Sequence, residues 1–195
     1  MVIVVMSVLP SCSSYHYQRF EEGVFEGTLV LKWIRPNRFI YEPDPDNPLT
    51  FTRADGQAIT PGRMPTDGGS IPRLLWSIPP YSPWGYAPGY IIHDWVFNAH
   101  RCGDETFTFE ESALILGDAI KTLMENGCAP RNKFGAYTIF EAVRTPFARS
   151  AWEDGNCQID TLSMADVEEA EVIAVISFDS TSPQALSNAQ GECTF

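Results

Sequence analysis

The sequence predicts an α+β fold: a small N-terminal antiparallel β-sheet followed by a bundle of three to four helices. Three observations carry that expectation. Residues 24–60 are short β-branched and aromatic runs cut by Pro, Asn, Asp and Gly, the pattern of strands and tight turns. Residues 88–144 switch to apolar positions three and four apart, the helical period. A content of 44% hydrophobic and 12% aromatic residues in 195 supplies a core for one ordinary domain with tails.

The elements follow in order. "MVIVVMSVLPSC" is an apolar run ending at Cys12, too short to span a bilayer and of the length of a secretory signal's apolar region. Leu9-Pro10-Ser11-Cys12 resembles a bacterial lipobox, so lipidation of Cys12 is the expectation for residues 1–23; a buried strand "VIVVM" is the alternative. "VFEGTLVLKWI" (24–34) and "RFIYE" (38–42) read as strands separated by "RPN". "PDPDNP" turns the chain, "LTFTR" (49–53) alternates, and "ADGQ" makes a hairpin turn into a return strand at "AIT".

Ser70 can cap a short helix over "RLLWSI", with Pro72 in its first turn. A second helix runs from Pro88 or Gly89 to His100. Thr108 and Glu111 form a capping box that opens a third, which Gly127 ends. A fourth opens after Pro130 and stops before Pro146. "SMADVEEAEVIAVISF" is either a helix from Ser163 or a helix breaking into a strand at "EVIAVISF". After Asp179 the composition is that of a disordered tail.

The formal charge of -12 excludes nucleic acid as a partner, since phosphate binding needs clustered Lys and Arg, and it opposes docking on anionic lipid. The five cysteines show no C-x-x-C and no zinc spacing. With Cys12 set aside, Cys102, Cys128, Cys157 and Cys193 form an even set that could pair in an oxidising periplasm. Cys102 and Cys128, which flank one helix, are the expected partners.

The chemistry concentrates in "PTDGGSIPR" (65–73) and "IIHDWVF" (91–97). Gly68 and Gly69 free the backbone, and Asp67 can project a carboxylate. His93 is a base near physiological pH, and Asp67 is the group expected to orient it. Ser70 is a helix cap or a nucleophile or oxyanion donor, and Arg73 can clamp an anion. His93 and Asp94 are about 100° apart on their helix, so Asn98 is Asp94's expected neighbour. A rival arrangement makes His93 and Asp94 ligands of a divalent metal, helped by Asp67, Asp118 or His100. Otherwise Asp118 reads as the polar face of its helix, and His16 and His100 as surface residues. Trp84 and Tyr86 either pack as a lid or line a cleft for a sugar or a peptide.

Thr66-Asp67-Gly68-Gly69-Ser70-Ile71-Pro72-Arg73, then Ile91-Ile92-His93-Asp94-Trp95-Val96-Phe97, "EESALILGDAIKTLMENGC" and "IFEAVR" together resemble a family associated with bacteriophages and prophages, domain of unknown function 1353. The resemblance covers roughly residues 24–150. It implies a phage-type α+β domain over 24–160, flanked by the N-terminal segment 1–23 and an acidic extension 161–195. Ala113 stands where that family's third helix carries an Asp. The family brings no established activity. Two functions follow as expectations. One is a cell-envelope hydrolase with Asp67, Ser70, His93 and Asp94 around one cleft. The other is a non-enzymatic phage accessory, either a virion-assembly component or an envelope lipoprotein, with the Asp/His pair structural. Both place the protein in the bacterial cell envelope or on the virion, with a protein of either as partner.

Overall fold

The computed structural model describes residues 8–34, 38–66, 85–159, 162 and 170–178, with no account of the side chains of residues 8–12 and 38. The architecture is α+β: a curled antiparallel sheet in the N-terminal half, followed by helices. The order is α1 (Val8–Arg19), β1 (Val24–Ile34), β2 (Arg38–Tyr41), β3 (Thr50–Thr52), β4 (Ala58–Ile59), β5 (Met64–Thr66), α2 (Ala87–Arg101), α3 (Phe109–Glu125), α4 (Lys133–Ala142), α5 (Pro146–Glu153) and β6 (Glu171–Phe178).

β1 organises the sheet because it is long enough to hold three partners. Its first residues, Val24 to Glu26, pair with β3; Leu31 to Ile34 pair with β2; and Gly27 to Trp33 pair with β6. The strand order is β4-β3-β1-β2-β5, with β6 also on β1. Of the two readings of "EVIAVISF", the strand is the one realised. Gly27 takes a left-handed φ of 85° and sits against the Pro48 carbonyl, where a Cβ has no room.

The core lies between the sheet and the helices. Leu29, Leu31, Phe51 and Met64 from the strands meet Ile91, Ile92 and Val96 of α2 and Ile115 and Leu116 of α3. α1 joins the same core through Tyr17 and Phe20. The expected strand "VIVVM" lies outside the described residues, and the chain from Val8 is helical. The "RLLWSI" helix and the tail after Asp179 also lie outside them.

The capping box opens α3 as expected, with Thr108 accepting from the Glu111 N–H and Glu111 from that of Thr108. Three elements go beyond the sequence reading, the helix α1 among them. β5 contains Pro65 and exists through its pairing with β2. Pro146 does not only follow the fourth helix; it opens α5, whose N-cap Thr145 accepts from the Ala148 N–H.

The expected Cys102–Cys128 bridge does not form. Cys102 bonds Cys157, 55 residues on, and Cys128 is in a separate disulfide. The reason is placement: the end of α2 lies beside the start of α3, with Phe97 against Phe109. α3 lies between Cys102 and Cys128, and its 17 residues span roughly 25 Å, whereas a disulfide holds its Cα atoms about 4.4–6.8 Å apart.

Candidate functional site

α2 is apolar enough to be buried along most of one face, yet it carries Tyr90, His93, Asp94 and Asn98. Tyr90, Asp94 and Asn98 are four apart and lie along one side. β5 meets that side. The Thr66 hydroxyl donates to Asp94 Oδ2 at 2.7 Å, and Asn98 Nδ2 approaches Met64 Sδ at 3.8 Å. The match is one of rise: two strand residues cover about 6.6 Å and four helical residues about 6 Å. α2 therefore runs antiparallel to β5. Gly62 adds a second anchor, giving the Trp95 ring room against the backbone. Asp94 thus takes Thr66 as a neighbour, while Asn98, the expected one, turns to Met64.

His93 is only 7% exposed. Its Nδ1 is 4.0 Å from Asp94 Oδ1, beyond hydrogen-bond range, and its ring packs on Phe97 with centroids 4.7 Å apart. Burial is the main force holding its pKa down at about 4, and the Arg101 charge adds to it. His93 is therefore neutral at physiological pH. Its Nε2 is buried and meets no hydrogen-bond partner among the described residues; the same holds for Tyr90 OH and Asn98 Oδ1. Folded proteins pair nearly all such atoms, so three orphans on one helix call for water or a bound polar group.

A row of aromatic rings leads from His93 to the surface. Phe97 meets Trp152 edge-on at 4.9 Å, and His100 stacks on Trp152 at 3.9 Å and 12°. Beyond lies an open groove of about 400 Å³ whose lining includes His100, Glu105, Thr108, Glu110, Arg149 and Trp152. His100 is thus not an ordinary surface residue: its ring is stacked, and its Nδ1 is a further buried orphan. His16 likewise packs, against Tyr137 and Phe140.

Asp67, Ser70, Arg73 and Trp84 lie outside the described residues. Tyr86 is 2% exposed, the N-cap of α2, with its ring edge-on to Tyr90. Asp118 is not on a solvated face. At 5% exposure it accepts from the Glu21 N–H at 2.8 Å and from Arg53 at 3.5 Å, tying α3 to the α1–β1 junction and to the end of β3. Asp118 and His100 are thus engaged elsewhere than at His93. Among the described residues, no three His, Cys, Asp or Glu side chains are grouped to hold a metal ion.

Sequence reasoning passed over Tyr90, Asn98 as an orphan, and Thr66. The available clue was the four-residue spacing of Tyr90, Asp94 and Asn98 in an otherwise apolar helix. Among the described residues no helix is long and apolar enough to cross a membrane. No family model, no curated protein and no solved structure matches this chain, so the likeness to the phage-associated family stands on the quoted motifs alone.

Proposed function

We propose that this chain is an exported protein of bacteriophage or prophage type, whose α2 carries a hydrolytic site acting on cell-envelope material. The observation that carries the reading is the set of orphaned buried polar atoms, Tyr90 OH, His93 Nε2 and Asn98 Oδ1, beside a carboxylate fixed by Thr66. His93, neutral and with Nε2 unengaged, is the proton acceptor. Asp67 follows Thr66 directly in the chain and Ser70 comes four residues after it; they are the orienting carboxylate and the nucleophile or oxyanion donor in this reading. The disulfides support export, since such bonds persist in oxidising compartments.

A non-enzymatic accessory role, in virion assembly or at the envelope, is the second reading. The near-complete burial of His93 favours it, because a closed imidazole with a pKa of about 4 is a weak base. The test is peptidoglycan release by wild type, His93→Ala and Asp67→Ala, with metal analysis of each and a thermal melt to confirm folding. Release by wild type alone is expected. Equal release by all three, or by none, removes the enzyme.

A further inference from the structure

One covalent feature is independent of the hydrolase reading. Cys128 is disulfide-bonded, while Cys102 and Cys157 bond each other. Of the five cysteines, that leaves Cys12 and Cys193 as partners for Cys128. We infer that the partner is Cys12, so that the sulfur of the lipobox-like motif serves as a cross-link and not as a lipid attachment point.

The path of α1 argues for it. Phe20 packs against Gly117, and the Glu21 N–H donates to Asp118 Oδ1 at 2.8 Å, both near the middle of α3. One turn earlier on α1, the Tyr17 hydroxyl donates to Glu125 Oε1 at 2.6 Å, at the last residue of α3. α1 thus runs antiparallel to α3, and stepping back along α1 moves toward and past the end of α3. A further turn back is Ser13, 4% exposed, with Cys12 beside it in the helix. Five residues from Tyr17 to Cys12 cover about 7.5 Å.

α3 meanwhile ends by folding back on itself. Gly127 takes φ 74°, its N–H bonds the Met124 carbonyl, and the Cys128 N–H bonds the Leu123 carbonyl at 2.8 Å. This Schellman closure holds Cys128 over the end of α3, at the level the Cys12 turn of α1 reaches. β6, the last described element, ends at Phe178, paired with Gly27 of β1.

Formation of the bond is a two-electron oxidation. The Cys12 and Cys128 thiols each give up a proton and their sulfurs join. The two electrons pass to the disulfide of a thiol–disulfide exchange oxidant in the oxidising compartment, whose S–S bond opens to two thiols. Cys12 then has no thiol to alkylate with lipid, and the lipobox resemblance does not lead to a membrane anchor.

The test uses the full chain exported to a bacterial periplasm. Free thiols are blocked with an alkylating agent, and the unreduced protein is digested and mapped by mass spectrometry. A peptide pair joining Cys12 and Cys128, two hydrogens lighter than the separate thiols and free of acyl mass, is expected. Cys193→Ser should leave Cys128 protected from alkylation, and Cys12→Ser should expose it. A Cys128–Cys193 pair, an acylated Cys12 or an alkylated Cys128 in the wild type overturns the inference.

Discussion

The Asp118 carboxyl is pushed up to about 6, chiefly by burial, even though the Glu21 N–H and the Arg53 guanidinium favour its ionised form. Its contribution to stability is therefore present below the unfolded value near 3.8 and is lost as pH rises through 6. His93 works in the opposite sense. Burial lowers it from 6.5 to about 4, so its contribution is present above 6.5 and is lost as pH falls through 4. Each effect is on the order of 3 kcal/mol, and in wild type they oppose each other across the same window. Asp118→Asn should therefore gain stability relative to wild type between pH 4 and pH 7, and His93→Gln should lose it, in urea unfolding at the two pH values. Parallel pH profiles for wild type and both variants would refute the assignment. Sequence patterning marked His93 as a group of interest but misplaced Asp118. Helical spacing shows which face a side chain takes, but not that the α1–β1 junction and Arg53 come from far along the chain to cover that face.

At the scale of elements, what could be read was what local chemistry decides. β1 to β4 have β-branched runs with turn residues between them, and α3 has its capping box and its terminal glycine. β5 and α5 were not legible for different reasons. A three-residue strand containing a proline has no pattern of its own and is defined by β2 beside it. Pro146 is ambiguous by nature, since the residue that stops one helix also suits the first turn of the next. α5 matters because it presents Trp152 to His100 and Phe97. Thr145→Ala removes its cap and should cost about 1 kcal/mol, read as a lower urea midpoint. The α1–α3 contact is more demanding. A Cβ on Gly117 would overlap the buried ring of Phe20, so Gly117→Ala, favourable for helix propensity alone, should instead destabilise by about 1–3 kcal/mol. Phe20→Leu in the same chain should recover part of that loss; if the single Ala variant is as stable as wild type, α1 does not seat there.

Across the whole molecule, three consecutive residues at the end of α2 hold the C-terminal helical region. His100 stacks on Trp152, Arg101 donates from Nε and a terminal nitrogen to the Ala151 carbonyl at 2.8 and 2.5 Å, and Cys102 bonds Cys157. The aromatic row from His93 to the groove depends on that grip, because Trp152 is its middle member. The cysteine count made pairing legible but not connectivity, which depends on where helices leave their ends: α2 ends beside the start of α3, Phe97 against Phe109, so Cys102 and Cys128 stand at opposite ends of a 17-residue helix. Closing a loop of 55 residues restricts the unfolded chain by about 4 kcal/mol on the chain-entropy account. Because His100 and Arg101 make the same junction without covalent help, Cys157→Ser should keep the native fold while losing up to that amount of stability. Urea unfolding should show the loss, and near-ultraviolet circular dichroism should show the Trp152 environment unchanged. A variant with altered aromatic dichroism at low temperature would mean that the disulfide itself seats α5. One with wild-type stability would mean that the cross-link does not form.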